Sequence, residues 1–144
     1  MSIVIVDTNV WLSYLMSSRA DSTIVRVIHH CLTDAVTLLV PQELVTELRH
    51  TLATKPYFQR RISQQQTDAF IQALLESAEI PPQLRSVGQY VTDPNDDFLI
   101  AYGLAYDADY VVTGDAAVLA LGQVDNMKIV SPTRFLKELS ASAE

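Results

Sequence analysis

Ile3-Val4-Ile5-Val6 runs directly into Asp7, and Thr8-Asn9 then lead into a helical pattern. Four successive β-branched apolar residues show no alternation, so both faces of the strand they form must be covered. That is the signature of a central parallel strand packed between helices. In open α/β sheets ligands bind in the crevice beyond the carboxyl ends of such strands, and Asp7 stands at that end. An Asp at a strand-to-helix turn is also a common helix cap. Its meaning therefore depends on whether other carboxylates reach the same edge.

The rest of the chain alternates strand-like and helix-like stretches, which predicts an α/β sheet with crossover helices. Ile3–Val6 is the first strand. Helices follow over Val10–Met16 and Ser22–Leu32, the second capped by Asp21 or Ser22. Thr37–Val40 is a second strand, and Pro41 marks a helix start. Gln42–Ala53 carries Leu44, Val45, Leu48 and Leu52 on one stripe, with Glu43 and Glu47 one turn apart. Ser63–Ser77 is a further amphipathic helix. Asp93-Pro94-Asn95-Asp96-Asp97 reads as a turn feeding a helix over Phe98–Tyr106. Tyr110–Val112 is a buried strand ending in Thr113-Gly114-Asp115, Lys128–Val130 a last short strand, and Pro132–Leu139 a closing helix.

With 144 residues, 49% of them hydrophobic and 19% charged, the chain has the size and composition of one globular domain, residues 1–144. The single Cys31 excludes an internal disulfide and any multi-cysteine zinc cluster; a reduced, buried thiol is expected. No signal peptide is recognisable, and no apolar run approaches the roughly 18 residues of a membrane span, so no membrane association and a cytoplasmic location are expected. The net charge of −7 weighs against nucleic acid as a partner. Acids gathered around divalent cations, however, reverse the local sign.

Asp7 and Asp115 follow strands that point the same way in a parallel sheet, so both fall on one edge. Asp96 and Asp97 stand at the start of the helix before the Asp115 strand. Glu47 lies one turn inside the helix after the second strand. Carboxylates from four segments thus converge, and clustered carboxylates repel unless a cation compensates. Hard oxygen ligands suit Mg²⁺ or Mn²⁺, which retain waters and accept phosphate oxygens. Such ions activate water for phosphodiester hydrolysis. There is no Gly-rich phosphate loop, and His29, His30 and His50 lack a zinc-ligand spacing.

Val4-Ile5-Val6-Asp7-Thr8-Asn9-Val10, the Pro41 to Glu47-Leu48 segment, Asp93-Pro94-Asn95-Asp96-Asp97 and Ala108 to Asp115 together resemble the PIN domain family. They occur in that family's order and spacing over nearly the whole chain, and look most like its branch of VapC-like toxins from type II toxin–antitoxin systems. The resemblance implies a three-layer, Rossmann-like α/β/α sandwich with a central parallel β-sheet. It also implies a Mg²⁺- or Mn²⁺-dependent ribonuclease acting on single-stranded RNA, a homodimer, and inhibition by a cognate antitoxin protein. The catalytic acids it implies are Asp7, Glu47, Asp96 and Asp115, with the metal on Asp7, Asp96 and Asp115. Asp97 takes the third place if the helix starts one residue later. Asn9 and Thr113 match polar residues that support the acids. Asp107 stands where the family often has Gly, and is expected in a left-handed helix-ending conformation. Gly103 stands where the family prefers Ala.

Ordinary structural roles compete at each position. Asp115 is placed to cap a helix over Ala116–Leu121, and either Asp96 or Asp97 can cap its own helix, where acids meet the dipole favourably. Glu43 is the poorer alternative to Glu47, because acids are favoured in a first turn anyway. Asp109 and Asp125 read as surface acids. Arg49, His50, Lys55, Arg60 and Arg61 form either a solvated face or an arm contacting RNA phosphates, and Tyr57 and Phe58 are suited to stacking on unpaired bases. The same surface also suits an antitoxin peptide. Trp11 and Tyr14 read as core or dimer contacts. A haloacid-dehalogenase-type phosphatase also starts with a strand ending in Asp, but it needs a second Asp where Asn9 stands. A non-catalytic scaffold of PIN type is the remaining alternative.

Overall fold

The computed structural model describes residues 2–85 and 94–142, except for the side chains of residues 94–97 and 142. In chain order the elements are β1 (Ser2–Val6), α1 (Thr8–Met16), α2 (Thr23–Cys31), β2 (Val36–Leu38), α3 (Gln42–Thr54), α4 (Pro56–Gln59) and α5 (Gln64–Ser77). They continue as α6 (Pro94–Ala105), β3 (Tyr110–Val112), α7 (Ala116–Leu119), β4 (Gln123–Val124), β5 (Met127–Val130) and α8 (Pro132–Ser142).

The sheet has the order β2-β1-β3-β5-β4. β1 pairs in parallel with both β2 and β3, and β3 pairs in parallel with β5. Val4, Ile5 and Val6 face alternate sides, yet none is more than 1% exposed, so helices cover both faces of β1 as its unbroken apolar run requires. From β1 the chain first moves outward to β2 and later returns to add β3 on the opposite side of β1. That reversal leaves a crevice beyond the carboxyl ends of β1 and β3, where such sheets bind ligands.

The fully parallel sheet expected from the pattern is corrected at one edge. β4 runs antiparallel to β5, with Val124 paired to Met127 across a two-residue tip. A connection that short joins only antiparallel strands, and Asp125 in the tip takes a positive φ of 52°. Gln123-Val124 is too brief to carry a periodic signal.

A second correction concerns α6. It begins at Pro94 rather than Phe98, with Pro at its first position, where the missing N–H costs nothing. Asp96 and Asp97 therefore belong to the beginning of the helix, and neither precedes it as a cap. At the other end Asp107 has φ 57°, and Ala108 N–H donates to the Gly103 carbonyl at 2.8 Å. This is the Schellman arrangement, with Asp doing what Gly usually does. Gly103 itself opens the place where a Cβ would overlap the Met127 sulfur, at 2.2 Å.

The core explains several single residues. Trp11 is fully buried, donates from Nε1 to the Val6 carbonyl at 3.0 Å, and meets Phe70 and Tyr14 edge-on. Cys31 is buried, which pushes its thiol up to about 12 and leaves it unreactive. Asp109, expected to be a plain surface acid, accepts from Ile3 N–H at 2.8 Å, while its own N–H donates to the Ile3 carbonyl. It thus fastens the start of β1 to the loop before β3. Among the described residues no helix is long and apolar enough to cross a membrane.

Candidate active site

Asp7 ends β1 and caps α1. Its backbone N–H donates to the Val112 carbonyl at 2.9 Å, which locks the ends of β1 and β3 together. Its carboxylate is almost fully enclosed, with 5% exposure. Oδ1 accepts from Thr8 N–H at 2.7 Å. Oδ2 accepts from the Thr113 hydroxyl at 2.7 Å and from the Asn9 amide at 3.3 Å.

Thr113 and Asn9 extend this unit to the loop after β3. The Thr113 oxygen accepts from Asp115 N–H at 3.0 Å, and Asn9 Oδ1 accepts from Gly114 N–H at 3.1 Å. Asp115 is half-buried and caps α7 through Oδ1, which takes the N–H groups of Ala117 at 2.8 Å and Val118 at 3.3 Å. The cap expected from the sequence and the convergence on Asp7 coexist in the same side chain. Asp7, Asn9, Thr113 and Asp115 are therefore one connected polar unit at the crevice.

Burial holds the Asp7 carboxyl above the ordinary carboxylate range. The hydrogen bonds from Thr113, Thr8 N–H and Asn9 oppose that rise, and the nearby charge of Asp115 adds to it. Thr8 Oγ1, next along the chain, is buried and makes no hydrogen bond among the described residues. A desolvated acid with the charge of a second acid nearby offers the hard oxygen donors that suit a divalent cation with its waters.

Glu47 is exposed on α3 and lines a cleft of about 640 Å³ with Glu43, His50 and Phe98 of α6. Glu43 is engaged from the far side: the fully buried Tyr102 hydroxyl donates to its carboxylate, at 2.9 Å to Oε1 and 2.8 Å to Oε2, and accepts from Leu84 N–H at 3.0 Å. Asp93 and the side chains of Asp96 and Asp97 lie outside the described residues. Among the described residues no three His, Cys, Asp or Glu side chains are grouped closely enough to hold a metal ion.

The basic segment after Glu47 is divided. Arg49 pairs with Asp68 at 3.5 Å, both about half exposed, a contact of little energetic weight. Lys55, Arg60 and Arg61 are exposed around α4. The Arg61 guanidinium lies 3.7 Å from the centre of the Tyr57 ring.

A mostly parallel, Rossmann-like sheet with Asp7 and Asp115 at its switch point defines a class of α/β domain whose ligands bind beyond the carboxyl ends of the strands. The match to known proteins is narrower: a PIN domain family model covers residues 3–117, and the chain belongs to that family. PIN domains are in general nucleases. No curated protein matches the chain. Among solved structures, the chain is similar to one in the crystal structure of VapBC2 from Rickettsia felis bound to a DNA fragment from their promoter. The identity is 14%, the TM-score 0.60, and the match covers 90% of this chain and 98% of that one. At that identity the likeness is one of fold.

Proposed function

We propose that this chain is a Mg²⁺- or Mn²⁺-dependent endoribonuclease cutting single-stranded RNA, and the toxin of a toxin–antitoxin pair. The observation that carries this reading is the buried Asp7 carboxylate, held beside Asp115 by Thr113 at the switch point of a PIN fold. Asp7, Asp96 and Asp115 are the residues that would hold the ion, with Asp97 as the alternative third acid. When bound, such an ion polarises the scissile phosphate and makes water a stronger nucleophile at neutral pH.

The remaining roles fall to the chain's own groups. Thr113 and Asn9 hold Asp7 Oδ2, so the carboxylate does not swing away from the crevice. Glu47 on α3 completes the acid set or orients the attacking water. Lys55, Arg60 and Arg61, with Arg49 as a more distant contributor, offset the net charge of −7 where the RNA backbone approaches. Membership of a toxin–antitoxin pair is supported by the likeness to a chain of the VapBC2 complex. Homodimer formation and inhibition by a cognate antitoxin protein go with that reading.

The test is cleavage of single-stranded RNA by the purified chain with Mg²⁺ or Mn²⁺, compared with Asp7→Asn. Wild type is expected to cut internally, EDTA to stop it, and the variant to lose at least about 100-fold in kcat while remaining folded, as for loss of a preorganised electrostatic group. Unchanged turnover in Asp7→Asn contradicts the proposal.

A further inference from the structure

α1 presents Asn9, Leu12, Ser13 and Met16 on one face, spaced as successive turns of a helix. Opposite them stand Tyr57 and Phe58 of α4, and the six side chains line an open recess of about 300 Å³. That is the low end of small-molecule pockets and matches one ring-sized group. Its walls are apolar and aromatic, with Asn9 and Ser13 as polar points.

Three observations indicate what it takes. The recess is continuous with the acid edge, because Asn9 both lines it and binds Asp7 and Gly114. The segment that supplies its aromatic wall is basic in an otherwise acidic protein: residues 55–61 contain Lys55, Arg60 and Arg61 and no acid. The Tyr57 ring is also 52% exposed yet held in place. Arg61 covers it at 3.7 Å and donates from Nη1 to the Tyr57 carbonyl at 2.7 Å, while Phe58, anchored on the core, meets it edge-on at 5.1 Å. An exposed aromatic already fixed in place loses little freedom on binding.

We infer that the recess between α1 and α4 receives one unpaired nucleobase of the strand engaged at the acid edge. The inference rests on the nuclease reading for what passes that edge. Aromatic faces accept any base, and the cations of residues 55–61 follow its phosphates. Asn9 and Ser13 supply hydrogen-bonding groups for the base edge. A duplex withholds both the face and the Watson–Crick edge of each base, so the recess selects single strands.

The experiment uses a short oligoribonucleotide that the wild-type chain cleaves, and copies bearing one abasic ribose at each position in turn. Wild type is expected to lose on the order of ten-fold in kcat/KM at one position, a fixed distance from the cut. Tyr57→Ala should lose a similar factor on the intact strand and become indifferent to that position, while Tyr57→Phe stays near wild type. Tyr57 is half exposed, so its truncation leaves the core intact. A Tyr57→Ala variant that cleaves the intact strand at the wild-type rate, or that keeps the wild-type abasic profile, overturns the inference. Loss of inhibition by a protein partner with cleavage unchanged also overturns it, and assigns the recess to a peptide. Binding of the same strands by anisotropy in EDTA separates the two readings. A single-position abasic penalty in binding without any cleavage keeps the base site and removes the nuclease; cleavage with no such penalty removes the base site alone.

Discussion

The Thr113 hydroxyl donates to Asp7 Oδ2 at 2.7 Å across a sequence separation of 106 residues, and its oxygen accepts the N–H of Asp115 at 3.0 Å. One fully buried hydroxyl thus ties the acid that ends β1 to the acid that follows β3. Its position follows from the register: Val6 lies beside Val112, so the next residue on each strand meets the other at the crevice.

Replacing Thr113 with Val keeps the shape and removes both hydrogen bonds. Asp7 then lacks a donor and Asp115 N–H an acceptor in a buried site, which costs about 1–3 kcal/mol. Denaturant unfolding should show a lower midpoint with an unchanged slope. Thr113→Ser should recover most of the loss, and a Val variant as stable as wild type contradicts the bond's importance.

Asp7 sets a pH dependence of definite sign. Its folded pKa lies above the ordinary value because of burial, with Asp115 adding to the rise. Between the unfolded and folded values the native chain binds the extra proton, so Asp7's contribution to stability declines as pH rises through that window and is constant above it. Metal-free Asp7→Asn, which does not titrate there, should gain on wild type over the same window and melt a few degrees higher at neutral pH. Mn²⁺ should raise the wild-type melting temperature alone, since a ligand of the folded state stabilises it in proportion to RT ln(1 + [L]/Kd). A difference between the two proteins that is flat with pH, or untouched by Mn²⁺, contradicts this account.

Tyr102 binds Glu43 of α3 and Leu84 N–H at once. Tyr102→Phe should destabilise the fold by about 1–3 kcal/mol, read by urea unfolding, because two partners lose their bonds together. Glu43→Gln keeps an acceptor for the phenol and should cost less. Equal losses in the two variants would argue that Leu84 contributes nothing.

Lys55 and Arg60 should act on RNA through charge alone. Each Ala variant is expected to flatten the dependence of log affinity on log salt by about 0.7 for a single strand, with no change in melting temperature. Salt slopes identical to wild type place the RNA path away from α4.

Much of the architecture is legible in local pattern. The unbroken Ile3–Val6 run suits a central strand and the stripe of Leu44, Leu48 and Leu52 a core-facing helix, while the left-handed Asp107 after α6 is expected from the family resemblance. Less of the candidate site is legible. Glu43 ranks below Glu47 only by its place in the first turn, and its bond to Tyr102 from α6 has no signal in the local pattern. Asp109 has no local signal for its bond to Ile3. The helical start at Pro94 was obscured by a motif rich in turn-forming residues.

Periodicity is a property of neighbouring residues, so the chain alone determined which stretches bury a face and that Asp7 and Asp115 end parallel strands. The order β2-β1-β3 decided that those ends adjoin, and with it the Thr113 bridge and the crevice. The placement of α4 on α3, opposite α1, likewise made a recess from residues that share no pattern. Such pairings depend on how buried surfaces fit across the whole domain, a global condition that no short window of sequence contains.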